Sequence, residues 1–180
     1  MAGGKSVMAT LIILRGNSGS GKTSTARLLQ RELGYGTMVV SQDVVRREML
    51  YVEDTVKQNP TPQLLHDLCM YGNKLGGMVI LEGVLGREKY GGVLYKLLRN
   101  FQGNIHVYYF DISLEETVRR HGQRAESQEF GIEKMRAWRR EKDYLGTPGE
   151  VLINETMSQD DIVQMIISDV TGKAQKNKGA

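Results

Sequence analysis

Residues Gly16-Asn17-Ser18-Gly19-Ser20-Gly21-Lys22-Thr23 satisfy the spacing G-x-x-x-x-G-K-[ST] at every position. The run stands between an apolar stretch, Thr10–Leu14, and a stretch with helical spacing, Thr23–Leu33. A strand that turns through glycines into a helix can wrap an anion, because glycine lets several backbone N–H groups converge on one point. The helix behind the turn adds its first-turn donors and the positive end of its dipole. The natural guest is a polyphosphate, so the turn reads as a Walker A phosphate-binding loop, or P-loop. In that reading Lys22 lies along the β- and γ-phosphates and the Thr23 hydroxyl enters the shell of a Mg²⁺ ion. Gly16, Asn17, Ser18, Gly19, Ser20, Gly21 and Ser24 complete the nucleotide cradle. A dinucleotide site is the weaker reading, because Gly19-Ser20-Gly21 lacks the third glycine of G-x-G-x-x-G.

The rest of the chain alternates in a way that fits this turn. Apolar runs at Thr10–Leu14, Met38–Val40, Met78–Leu81, Ile105–Phe110 and Val151–Ile153 predict buried strands. Between them, helical spacing predicts helices at Thr23–Leu33, Gln42–Leu50, Pro62–Lys74, Lys89–Asn100, Leu114–His121, Ile132–Tyr144 and Gln159–Val170. Strand–helix alternation implies an α/β fold with a parallel sheet covered on both faces. The length, 180 residues with 40% hydrophobic, fits one domain over 1–180. Ser113 with Glu116 predicts a capping box and Ser158 a helix cap. Tyr51–Pro62 reads as a loop bordering the substrate site, with Pro62 in the first turn of the next helix. The tail 172–180 is polar and lysine-rich, and is expected to be mobile. Ile132, Met135 and Trp138 recur at three-residue spacing, which predicts a buried helix face; stacking of Trp138 on a nucleotide base is the other reading.

Composition removes several function classes. The single cysteine, Cys69, excludes an internal disulfide and sits among apolar residues as a core position, which suits a reducing, cytoplasmic setting. No apolar run approaches the roughly 18 residues a spanning helix needs, so no membrane partner is expected. Met1–Thr10 lacks the apolar stretch of a signal peptide, and Met8 is the expected native start. A net charge of +3, from 24 Lys and Arg against 21 Asp and Glu, is too slight to call for nucleic acid. His66, His106 and His121 are scattered without acids or cysteine at metal-ligand spacing, and His106 reads as a packed strand residue.

Three further features point from nucleotide binding to phosphoryl transfer. Ser41-Gln42-Asp43-Val44-Val45-Arg46-Arg47 follows the second strand and puts a carboxylate and a guanidinium at the carboxyl edge of the sheet, where open α/β sheets bind ligands. Asp43 there can accept a proton from a substrate hydroxyl, and Arg46 can hold an anionic or polar substrate group. Asp43 serves equally well as a helix cap. Met78–Leu81 ends in Glu82, the form of a Walker B acid that holds Mg²⁺ or touches substrate, or that merely marks where a strand reaches solvent. Arg120 and Arg124, then Arg136, Arg139 and Arg140, concentrate cations where a short lid, about 119–140, is expected to close on the nucleotide. Pairing with Glu115, Glu116, Glu133 and Glu141 on a solvated face is the alternative for these arginines.

The succession GNSGSGKT, QDVVR, LEG and FDISLEETVRRHGQR resembles the small-molecule and nucleotide kinases of the P-loop class, which include adenylylsulfate kinases, gluconate kinases, chloramphenicol phosphotransferases and zeta-toxin-like kinases. The resemblance runs from Leu11 to about Val170. It implies a three-layer fold around a five-stranded parallel sheet in the order 2-3-1-4-5, and an ATP- and Mg²⁺-dependent kinase acting on a small-molecule acceptor. It further implies that Asp43 is the substrate base with Arg46 beside it, that Arg120 stacks on adenine, and that Arg124 reaches the phosphates. Tyr51–Pro62 and Leu85–Gly92, the loops that would read the acceptor, match no one substrate signature. A hydroxyl acceptor of sugar, nucleoside or antibiotic type is expected, with a nucleotide kinase and a non-catalytic ATP-binding regulator as the alternatives. A guanine-specific switch is disfavoured, because Asn73-Lys74 continues as Leu75-Gly76 and not as the required N-K-x-D.

Overall fold

A computed structural model of the chain describes residues 8–122 and 132–172. Residues 1–7, the tail beyond Gly172 and the part of the expected lid that carries Arg124 lie outside the described residues. Five strands form one sheet: β1 (Ala9–Gly16), β2 (Met38–Ser41), β3 (Met78–Gly83), β4 (Gly103–Phe110) and β5 (Glu150–Ile153). Their order is β2-β3-β1-β4-β5 and every pairing is parallel, as the resemblance implied. The helices are α1 (Lys22–Leu33), α2 (Thr61–Lys74), α3 (Arg87–Asn100), α4 (Leu114–Gly122), α5 (Ile132–Trp138) and α6 (Gln159–Thr171). Among the described residues no helix is long and apolar enough to cross a membrane.

Strand β1 lies at the centre and all eight of its residues are buried. Its side chains alternate between the two faces of the pleat. Leu11 and Ile13 join the core formed with Leu65, Cys69, Tyr90 and Leu94 of α2 and α3. Ile12 and Leu14 join the other core, with Ala26 and Leu29 of α1 and Ile162 and Ile166 of α6. Two cores on one sheet make the three layers. Burial pushes the Cys69 thiol up to about 12, as suits a packing residue. Gly72 of α2 allows the helix to lie on β3, since a Cβ there would stand 2.3 Å from Val79 Cγ2.

Several local expectations are corrected. Gln42–Leu50 is not an α-helix; residues Val44–Met49 form a π-helical segment in which Leu50 N–H donates to Val45 O at 3.0 Å. The widened turn buries Val45 and lets Arg46 donate to Val52 O at 3.2 Å, tertiary contacts that periodicity does not contain. Leu85–Gly92 is not a free loop, because α3 already starts at Arg87. The helix expected over Ile132–Tyr144 ends at Trp138, and Trp138 is 55% exposed, not buried. Three-residue spacing puts side chains on one face but does not supply a surface to cover it. The box at Ser113 is only half made: Glu116 N–H donates to Ser113 Oγ at 3.3 Å, but the Glu116 carboxylate turns to Arg119 and Arg120 and Glu155 accepts Ser113 N–H at 2.8 Å. At Ser158 the box is complete, with Asp161 as its partner.

The carboxyl end of β1 holds a residue that sequence reasoning passed over. Arg15 is fully buried, and its guanidinium pairs with Asp143 and Glu150, both at 3.0 Å. It also donates to Leu85 O at 3.2 Å and stands over the Tyr109 ring, 5.2 Å from its centroid. One cation thereby ties α3's entry, β5 and the segment after α5 to the central strand. Removing one partner of a buried pair leaves the others uncompensated, which typically costs about 3–5 kcal/mol. Arg15→Ala is expected to lower the denaturant midpoint accordingly with an unchanged m-value, read by urea unfolding followed by circular dichroism.

Candidate active site

The parallel register brings the carboxyl ends of β1, β2 and β3 together: Leu14 stands opposite Glu82, and Ser41 opposite Glu82 on the other side. The turn from β1 to α1 rises from this edge. Gly16, Gly19 and Gly21 have φ of 142°, 78° and 106°, conformations that favour glycine. At Gly16 the requirement is also steric, since a Cβ would lie 2.7 Å from Phe110 O of the neighbouring strand. Lys22 opens α1 and is buried beneath the turn, where Nζ donates to Asn17 O at 2.7 Å and Ser20 Oγ at 3.1 Å. Its ammonium thus occupies the space the backbone encloses. Ser24 Oγ donates to Gly21 O at 2.8 Å, a local bond within the first turn of α1.

Beside this turn, Glu82 is 3% exposed at the end of β3. Its Oε2 accepts from Thr23 Oγ1 at 3.1 Å and its Oε1 accepts from Ser41 Oγ at 2.6 Å. Hydroxyls alone stabilise a buried carboxylate weakly. Four oxygens from three side chains form the hard donor set that Mg²⁺ prefers, so the residues present fit that ion. In the sequence Ser41 was legible only as the first residue after the second strand; the strand in fact includes it, and its place in this cluster comes from the β2–β3 register.

On the far side of β2 lies a second network. Asp43 is exposed and receives Arg46 and Arg47, each at 3.4 Å. Arg46 is largely buried, and its Nε also lies 3.9 Å from Asp54. Asp54, on the Tyr51–Pro62 loop, accepts from Lys89 Nζ at 2.6 Å and from the Tyr90 hydroxyl at 3.4 Å. The Lys89 ammonium also donates to the Asp54 carbonyl. Gln42 fastens the base of this network by donating to Tyr90 Oη and accepting Leu85 N–H, both at 3.1 Å. Asp54 and Lys89 were missed from sequence because they lie on different segments and belong to no recognisable spacing, and Gln42, though it opens the QDVVR run, was given no role. The available signal was the three charged residues Glu53, Asp54 and Lys57 within 51–62.

On the other flank, a cavity of about 580 Å³ opens beside Ser20, Gly21 and Ser24, walled by Phe110, Arg120 and Met157. Arg120 Nη1 donates to Ser20 O at 3.1 Å, and its Nε is held by Glu116 at 2.6 Å. The structure therefore brings Arg120 to the turn. Arg136 is exposed, Arg139 donates to Ile112 O at 3.1 Å, and Arg140 pairs with Glu88 at 2.9 Å. None of these three guanidinium groups is bonded to the P-loop. Hydrogen bonds first from Arg119 and then from Arg120 hold the Glu116 carboxyl down at about 2, from an ordinary 4.5. Because the folded value is depressed, the Glu116–Arg120 contact is complete above the ordinary carboxylate range and is lost as pH falls through about 2. The expected midpoint for Glu116 in a carbon-detected NMR titration is near pH 2, and a midpoint near 4.5 would mean that the contact does not hold in solution.

A family model described as AAA domain matches residues 11–148. Among solved structures, the chain is similar to the Mycobacterium tuberculosis APS kinase CysC in complex with AMPPNP and APS, at 18% identity and a TM-score of 0.69, covering 92% of this chain and 99% of that one. It is similar to the Deinococcus radiodurans tunicamycin resistance protein at 16% identity and a TM-score of 0.64, covering 90% and 95% of the two chains. It is also similar to a gluconokinase from Sinorhizobium meliloti 1021, at 14% identity and a TM-score of 0.59, covering 92% and 93%. No curated protein matches the chain in sequence. These likenesses show the fold, which is that of the P-loop kinases.

Proposed function

This chain belongs to the AAA domain family, and from that premise we propose that it is a phosphotransferase that moves the γ-phosphoryl group of ATP to a hydroxyl of a small molecule of sugar, nucleoside or antibiotic type. One observation carries the reading: the buried Lys22 ammonium, the Thr23–Glu82–Ser41 oxygen cluster and the Asp43 carboxylate all stand at the same edge of the sheet. In this reading that edge would supply a cation under the glycine turn, a seat for a divalent ion and, at the start of the segment after β2, a base.

Phosphoryl transfer asks little covalent chemistry of a protein and much positioning. The N–H groups of Asn17–Lys22 and the Lys22 ammonium would neutralise charge on the β- and γ-phosphates as it shifts toward the leaving oxygen. To do so, Lys22 exchanges Asn17 O and Ser20 Oγ for phosphate oxygens. Thr23 and Glu82 would hold Mg²⁺, which would supply positive charge against the polyphosphate. Arg120, already on Ser20 O, would stack on the base or clamp a phosphate from the 580 Å³ cavity. Asp43 would accept the acceptor's hydroxyl proton as its oxygen bonds to the γ-phosphorus and the bond to the β-phosphate oxygen breaks, giving ADP and a phosphomonoester. Arg46, beside Asp43, would hold a polar or anionic group of the acceptor.

The test is ADP release over a panel of sugars, nucleosides, aminoglycoside-type antibiotics and nucleoside monophosphates. Acceptor-dependent ADP formation is expected with a hydroxyl compound; release only with monophosphates would make the protein a nucleotide kinase, and nucleotide-gated binding to another protein without turnover would make it a regulator. Lys22→Ala is expected to lower kcat/KM by about 100-fold or more, and wild-type turnover would remove the cradle assignment. The Asp43 side chain makes no capping bond, contrary to the cap reading. Asp43→Asn is expected to abolish transfer while calorimetric ATP affinity stays, and unchanged turnover would leave Asp43 only a partner of Arg46 and Arg47.

A further inference from the structure

Asn17, the first variable position of the P-loop, is joined at both of its ends. Its carbonyl accepts from Lys22 Nζ at 2.7 Å. Its side-chain amide grips the backbone of Arg140 on both sides of the Cα: Nδ2 donates to Arg140 O at 2.8 Å, and Oδ1 accepts Arg140 N–H at 2.9 Å. Donor meets acceptor twice, so the side-chain amide and the two peptide groups flanking the Arg140 Cα are joined by two bonds across 123 residues of sequence. Asn17 is 8% exposed, which keeps water from competing for these bonds.

What lies beyond Arg140 gives the pair a direction. The Arg140 guanidinium reaches Glu88 at 2.9 Å, on the first turn of α3. Three residues on, Asp143 accepts Arg87 N–H at 2.9 Å and Arg15 at 3.0 Å. The same first turn of α3 carries Lys89, which holds Asp54 and through it faces Arg46. A continuous set of bonds therefore runs from the Lys22 ammonium through Asn17 and the 139–143 segment to the loop on the acceptor side.

We infer that Asn17 is a positioning residue that transmits occupancy of the P-loop to the 139–143 segment and from there to the acceptor side. The inference rests on the nucleotide reading of the P-loop. The two-state element is the Lys22 contact: with polyphosphate present its N–H donors move from Asn17 O to phosphate oxygens, which releases the Asn17 peptide on one side while its side chain still holds Arg140 on the other. The recognised group is the polyphosphate of a nucleotide; the response is a changed setting of the peptide at Arg140.

Trp138, the single tryptophan of the chain, stands two residues before Arg140 and reports on this segment. The experiment adds AMPPNP with Mg²⁺ and follows Trp138 emission, with calorimetry on each protein fixing the concentration at which its site is saturated. The wild type is expected to show a saturable emission change, and hydrogen exchange of the 139–145 peptide is expected to change with it. Asn17→Ala, which deletes both bonds, is expected to lose the emission change at saturation. Arg140→Pro and Arg140→Ala remove the same guanidinium, but only proline also removes the N–H that Oδ1 accepts. Proline is therefore expected to lose the response and alanine to keep it, with the P-loop sequence intact in both. Circular dichroism confirms the folded state of each variant. A wild-type response in Asn17→Ala or Arg140→Pro, loss of it in Arg140→Ala, or a wild type that binds AMPPNP with Trp138 and the 139–145 peptide both unmoved would each overturn the inference. Absence of AMPPNP binding by the wild type would instead overturn the nucleotide reading, and the inference with it.

Discussion

Strand β1 is the constraint from which the rest of the molecule follows. It is paired on both edges, by β3 and β4, and packed on both faces, by α1 and α6 on one side and α2 and α3 on the other. A strand so enclosed cannot slip by a residue without exchanging its two cores. Its carboxyl end is therefore fixed, and with it the glycine turn and the first turn of α1. Backbone N–H groups that a helix cannot satisfy internally then face one point in space, and the field they make suits an anion without any side chain being needed.

Two buried charges near that end show how surroundings decide role. Arg15 and Glu82 are both almost inaccessible to water. Arg15 is met by two carboxylates, a carbonyl and an aromatic face, so its charge is answered inside the protein and its work is to hold segments together. Glu82 is met by the hydroxyls of Thr23 and Ser41. Under the proposed function, a buried carboxylate with such oxygen neighbours would seat a cation beside the glycine turn. The difference lies in which partners the fold delivers to each group, and nothing in either residue's immediate sequence tells them apart.

The candidate site was legible from sequence to unequal degrees. The P-loop could be read because its residues are contiguous and each glycine answers a local backbone requirement. The five strands, and Cys69 as a core position, could be read because burial on both faces forces unbroken apolar runs. Asp54, Lys89 and Gln42 could not, because they meet only after the 51–62 loop folds against α3, and a pairing between distant segments has no period. The buried face assigned to Trp138 was mistaken for a related reason: α5 ends at Trp138, and the next residues are taken up by Asn17 and Arg15, which the spacing within 132–144 cannot anticipate.

By itself, then, the sequence determined the layered α/β architecture and the place where a polyphosphate would sit, since both depend on interactions between residues a few positions apart, which spacing records. Tertiary structure alone decided that Ser41 and Glu82 share an oxygen cluster with Thr23, that Arg15 is the internal tie of the sheet edge, and that the P-loop is bonded to the chain at Arg140. Those outcomes depend on the strand order and the packing around it, which carry residues from 41 to 135 positions apart into hydrogen-bonding distance after the cores have closed.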